Sequence, residues 1–125
     1  MLNKADAIAT IAVKDLTAAK SFYEDKLGFE FVKGDEEMAR SYRSGGSSLL
    51  VYKSEFAGTN QATTATWAVD DVDKTARALK EKGITFEHYD FPGVKLEGDV
   101  HVMGKRRNAW FKDPDGNILS IVNND

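Results

Sequence analysis

The chain has 125 residues, 42% hydrophobic and 30% charged, which fits one compact domain of residues 1–125 and excludes a long multidomain enzyme. It has no cysteine, so thiolate metal ligands, thiol nucleophiles and redox dithiols are excluded as well. Seventeen basic and twenty acidic residues give a net charge of −3, interspersed apart from Lys105-Arg106-Arg107, and nothing in this pattern favours nucleic acid.

No apolar run approaches the roughly 18 residues that a membrane span needs. The opening MLNKADAIAT lacks the basic-then-apolar order of a secretory signal, so no membrane and a cytoplasmic location are expected. A strand is expected over residues 7–13, where β-branched and small residues dominate. A helix follows, with Leu16, Ala19, Phe22, Tyr23 and Leu27 at three-to-four-residue spacing, Asp15 placed to cap it and Gly28 to stop it. Three extended segments come next, at 29–32, 38–43 and 49–52, with Gly45-Gly46 as a hairpin breaker. Residues 54–62 form a polar junction too short to be a free linker.

The same order then repeats. A strand over 64–69 carries Trp67, and a helix uses Asp71, Val72, Ala76 and Leu79 and closes at Gly83. Extended segments follow at 85–91, 108–112 and 118–122, the last two separated by Asp115-Gly116. Residues 91–107 contain Pro92, Gly93, Gly98 and Gly104 and make the one long irregular segment. A loop of that length without structure of its own is expected to be functional, here a flap over a cavity, the alternative being a floppy insertion. Val13-Lys14-Asp15-Leu16 recurs as Val69-Asp70-Asp71-Val72, and Gly28-Phe29-Glu30-Phe31 as Gly83-Ile84-Thr85-Phe86, at nearly the same spacing. Two copies are too few for a solenoid. The expectation is an α+β fold of two pseudo-symmetric βαβββ modules, one over about 6–54 and the other over about 63–125.

Ala12-Val13-Lys14-Asp15-Leu16, Ser21-Phe22-Tyr23, Leu27-Gly28-Phe29, Val69-Asp70-Asp71-Val72 and the stretch from Ala109 through Asp113-Pro114-Asp115-Gly116-Asn117 resemble the vicinal oxygen chelate superfamily. That group includes glyoxalases, bleomycin-resistance proteins and extradiol dioxygenases. The resemblance runs from about residue 7 to 123 and implies two modules with curled mixed sheets around a shared cleft for a small molecule. It also implies a homodimer. In metal-dependent members four side chains in the cleft hold a divalent ion, and the family spacing carries those positions onto Ile8, Leu50, Thr64 and Ser120. Hydrocarbon and hydroxyl groups are poor ligands for such ions, so neither a metal nor another cofactor is expected.

If Ile8, Thr64 and Ser120 face the cleft, alternation sends Thr10, Thr66, Ile118 and Val122 there too, and puts Ile11, Val13, Trp67, Val69, Leu119 and Ile121 beneath the helices. Arg40 and Tyr42 share a face of their strand, and Trp110 shares one with Asn108 and Lys112. Arg40, Tyr42 and Trp110 are candidate ligand contacts, against the plainer readings of solvated arginine and core tryptophan. His88 is either a rim residue or a ligand contact. His101, in the expected flap, is either solvated or a mobile acid or base. No familiar metal spacing joins the two histidines. Asp113-Pro114-Asp115-Gly116 reads as turn chemistry before it reads as paired catalytic carboxylates. The expected function is metal-independent binding of a small, apolar or aromatic compound, with sequestration of a toxic one as its use. Two rivals stand beside it. One is a glyoxalase-type lyase or isomerase, or a dioxygenase, drawing a metal from His88, His101 or acidic residues; the other is a dimerising or regulatory scaffold without ligand.

Overall fold

The structure is a computed structural model that describes residues 1–124. Its first strand, β1 (Ala9–Val13), leads into α1 (Leu16–Lys20), whose first turn is held by the Asp15 carboxylate accepting from the Thr17 amide at 2.9 Å. The helix does not continue as an α-helix. Ser21–Lys26 widens into a π-helical segment in which Phe22 and Tyr23, neighbours in sequence, are both buried. The strands β2 (Glu30–Gly34), β3 (Ala39–Ser44) and β4 (Ser47–Lys53) complete a sheet of order β1-β4-β3-β2, with β1 parallel to β4 and the other pairs antiparallel.

The second half repeats this plan. Strand β5 (Thr63–Val69) is followed by α2 (Val72–Glu81), capped by Asp71 accepting from the Lys74 amide at 3.0 Å. After it come β6 (Phe86–Glu87), β7 (Lys95–Glu97), β8 (Val100–Met103), β9 (Arg106–Lys112) and β10 (Ile118–Asn123). The sheet order is β5-β10-β9-β8-β7, with β6 also on β9, and β5 is parallel to β10 as β1 is to β4.

Two expectations need correction here. The strand expected over 85–91 shrinks to Phe86–Glu87, and the segment expected as a flap is largely sheet. The glycines that made residues 91–107 look irregular include two turn positions. Glu97 pairs with Val100 and Met103 with Arg106, so Gly98 (φ +63°) and Gly104 (φ +59°) each open a two-residue hairpin connection that needs a left-handed backbone.

Both helices cover the same side of the sheets, and one core runs through both halves: Ile11, Val13, Leu49 and Val51 from the first sheet, Phe111, Leu119 and Ile121 from the second, Phe22, Val72 and Ala76 from the helical segments. The rings of Phe22 and Phe111 stand 6.5 Å apart across the halves. A polar joint reinforces this contact. The buried Asp113 carboxylate accepts from the Tyr23 hydroxyl at 2.7 Å and from Asn117 Nδ2 at 2.8 Å, and Asn117 Nδ2 also reaches the Ala12 carbonyl at 2.7 Å. Burial, and then the Asp113 charge, push the Tyr23 hydroxyl far above its ordinary pKa, so it is a proton donor at any working pH. Asp113 thus serves the turn and the joint between halves, as its Pro-Asp-Gly context indicates. Among the described residues no helix is long and apolar enough to cross a membrane.

Candidate functional site

The strand faces turned away from the helices carry most of the expected site residues. On the first sheet, register puts Thr10, Leu50 and Ser41 in one row across β1, β4 and β3. Ile8 precedes β1 and is exposed. On the second sheet Thr66, Ser120 and Trp110 form a row across β5, β10 and β9, and Ala68, Val122, Asn108 and His101 form the next. Thr64 shares the Thr66 face by alternation.

Arg40 and Tyr42 are elsewhere. They stand opposite Val51 and Leu49, whose side chains enter the core, so they lie on the helix side of β3. There the Glu24 carboxylate accepts from Arg40 Nη2 at 2.9 Å and from the Tyr42 hydroxyl at 2.8 Å, and Arg40 Nε donates to the same tyrosine oxygen at 3.0 Å. Burial and the Glu24 bond push Tyr42 up to about 12. The pair anchors the π-helical segment to the sheet. Alternation joined Arg40 to Tyr42 in the sequence, but only pairing with β4 decides which side both occupy.

The cavity with the most distinct chemistry lies at one end of the second sheet. It has a volume of about 400 Å³, and its walls include Tyr89, Phe91 and Trp110 as well as Thr63 and Ile118. Trp110 is fixed by its Nε1 donating to Thr63 Oγ1 at 3.1 Å. Ring centroids of Tyr89 and Phe91 stand 5.5 and 5.7 Å from that of Trp110, within the range of favourable aromatic pairs. A larger hollow of about 600 Å³ near the start of α1 is walled by Lys14, Asp15, Glu36, Glu37 and Lys53, charges of both signs without an aromatic surface.

His101 is a strand residue on β8, only 2% exposed, and its ring packs edge-on to Trp110 at 4.8 Å. Its Nε2 accepts from the Tyr89 amide at 2.9 Å, so it is neither a solvated loop residue nor a free acid or base. It pins the chain leaving β6 to the rim of the aromatic cavity. His88 follows β6, half-exposed, with Nε2 2.8 Å from Asp99 Oδ1, and Lys80 Nζ meets the same carboxylate at 3.4 Å. The His88 bond holds Asp99 below the usual carboxylate range. Sequence reasoning missed Tyr89 and Phe91 as walls and Asn108 as a neighbour of His101, although alternation puts Asn108 on the Trp110 face.

The four positions that correspond to the family's metal ligands do not form a cation site. Ile8 and Leu50 offer only hydrocarbon, and the Ser120 hydroxyl is hydrogen-bonded to Thr66 Oγ1 at 2.9 Å. Thr64 would remain as a single neutral oxygen, far short of the converging imidazole and carboxylate donors that zinc or calcium requires. Among the described residues no three His, Asp or Glu side chains gather to hold an ion.

The fold matches those of known proteins. The chain is similar in structure to a glyoxalase family protein from Enterococcus faecalis, with a TM-score of 0.74 and 21% identity over 98% of this chain and 99% of that one. A bleomycin-binding protein from Streptomyces verticillus, determined in complex with copper(II)-bleomycin, gives 0.71 and 24% over 95% of each chain. A lactoylglutathione lyase from Agrobacterium tumefaciens gives 0.71 and 20% over 95% of this chain and 92% of that one. No curated protein sequence matches the chain. At these identities the neighbours establish the fold, with its two curled mixed sheets. A family match over residues 5–121 establishes more: the chain belongs to the Glyoxalase/Bleomycin resistance protein/Dioxygenase superfamily.

Proposed function

We propose that the protein binds a small, largely apolar or aromatic molecule without a metal ion, in the cavity walled by Tyr89, Phe91 and Trp110. The observation that carries this reading is the combination of an aromatic-walled cavity of about 400 Å³ with hydrocarbon and hydroxyl groups at the metal-ligand positions. The volume lies within the roughly 300–1,000 Å³ usual for ligand sites, where apolar walls supply most of the affinity and a few polar groups set orientation. The bleomycin-binding neighbour agrees with a binding role, and sequestration of a toxic compound follows as its use. Thr66, Ser120 and His101 border the same face, while Ile8, Thr10 and Leu50 extend it on the first sheet. We further propose a homodimer. Strand β2 is an exposed sheet edge carrying Phe31 and Val32, the kind of surface that a second copy covers.

A panel of planar aromatic compounds screened by thermal shift tests the binding role. At least one compound should raise the melting temperature in a concentration-dependent way in the presence of EDTA, because binding to the native state stabilises it by mass action. Trp110→Ala should remove that shift. A response that appears only with added zinc or nickel would transfer the role to a metal-dependent lyase.

A further inference from the structure

The two halves follow one plan, yet they fill the space beneath their helices differently. Leu79 stands at the same distance along the chain from its capping Asp71 as Tyr23 does from Asp15. The helix ends agree with that match. The Tyr23 carbonyl accepts from the Phe29 amide at 3.0 Å and the Leu79 carbonyl from the Ile84 amide at 3.1 Å, each amide following the positive-φ glycine that ends its helix. In the first half Ile11, Val13, Ala19 and Tyr23 are all buried. At the same offset in the second half stand Trp67, Val69, Thr75 and Leu79, and these are only partly buried. All four line one recess of about 170 Å³, which Leu27 and Phe29 border from the first half and at whose bottom lies the buried Phe111. Close-packed interiors leave few gaps larger than a water molecule. The recess corresponds to one missing ring, with leucine at 79 where the other copy of the unit has tyrosine at 23.

The chemistry of the walls is uniform. Thr75 is the single polar residue apart from the Trp67 indole, whose Nε1 already donates to Ser44 Oγ at 2.9 Å. The Trp67 and Phe29 rings stand 5.5 Å apart, so an entering ring meets aromatic surface. A charged group would lose water there without gaining a partner. A cavity of roughly 150 Å³ lined by leucine, isoleucine and phenylalanine is known to hold benzene.

We propose that this recess is a second binding site, which takes one uncharged single-ring aromatic molecule in the place that the Tyr23 ring fills in the first half. It lies on the helix side of the second sheet. Phe111 and Trp110 point to opposite faces of β9, so the site is separate from the cavity walled by Tyr89, Phe91 and Trp110 and does not rest on the function proposed for it.

Toluene and benzoate, one ring without and with a charge, test the proposal. The protein has two tryptophans, so the ¹⁵N-labelled chain gives two indole N–H resonances, which Trp110→Phe assigns. Toluene should shift the Trp67 resonance saturably, in the unaltered protein and in Trp110→Phe alike, and benzoate at the same concentration should not. Leu79→Phe and, from the preceding helical turn, Thr75→Leu each fill the recess. Both should bind toluene at least ten-fold more weakly, with melting temperatures no lower than that of the unaltered protein, because the added groups enter space already present. The absence of a saturable shift at Trp67, an equal response to benzoate, or toluene binding that persists in both filled variants overturns the second site. Lower melting temperatures for both variants overturn it too, since the recess would then not admit a ring. A shift confined to Trp110 also overturns it, and leaves the small-molecule reading of the other cavity standing.

Discussion

Tyr23 and Asp113 show how one hydrogen bond can join the two halves of this protein. The hydroxyl leaves the π-helical segment of the first half and ends on a carboxylate of the β9–β10 turn in the second, with both groups away from water. Replacing Tyr23 by Phe removes a charge-assisted bond and leaves Asp113 with only its turn partners, a loss of about 2–3 kcal/mol. Urea denaturation at pH 7 should show it as a lower midpoint with unchanged slope. The pH dependence follows from the raised hydroxyl pKa. In the unfolded chain Tyr23 ionises near pH 10, whereas the folded protein keeps the proton well above that, so its contribution is fully present below pH 10 and declines as pH rises further. The decline is about 1.4 kcal/mol per pH unit. Stability of the unaltered protein should therefore fall more steeply between pH 10 and 11 than that of Tyr23→Phe, and parallel curves would refute the linkage.

The two helices show which elements the sequence discloses and which it does not. Asp15 and Asp71 each precede an apolar periodic run, and each caps its helix as that pattern requires. Asp71→Ala removes an acceptor for the Lys74 amide at the start of a ten-residue helix and should cost about 1 kcal/mol, read as a melting temperature a few degrees lower. The widening at Ser21–Lys26 was not legible, because Phe22 and Tyr23 fit an α-helical face well enough and their second partners, Phe111 and Asp113, lie far along the chain. The β7–β8 hairpin was hidden for a different reason. Its strands are short, Lys95–Glu97 is exposed throughout, and glycine at both turns resembles a loop until pairing with β9 is known. That misreading carried over to the site. With 91–107 taken as a flap, His101 looked solvated, whereas a strand position opposite Asn108 buries it and fixes its tautomer through Tyr89. Arg40 and Tyr42 failed by the same logic in reverse, since alternation relates residues within a strand and says nothing of which side meets the helices.

Across the whole molecule, the duplication read from the sequence reappears as two sheets with the same first-to-last parallel pairing, β1 with β4 and β5 with β10. The shared plan also fixes what the concave faces can do with a cation. The rows on which the family's ligand positions fall, Thr10–Leu50–Ser41 and Thr66–Ser120–Trp110, contain neither a carboxylate nor an imidazole. The histidines outside them are already committed, His101 Nε2 to the Tyr89 amide and His88 to Asp99. A metal at His101 Nε2 would have to break the bond to the Tyr89 amide at the cavity rim. Since a ligand at a hundred times its Kd raises stability by roughly 2.7 kcal/mol, an ion that bound tightly would announce itself in the melting temperature. Zinc, nickel or iron(II) added to chelator-treated protein should leave the melting temperature unchanged, and calorimetry should show no saturable uptake. One equivalent taken up tightly, and lost on changing Thr64 or Ser120 to Ala, would place an ion where the side chains present argue against one and would require a catalytic account of the cleft.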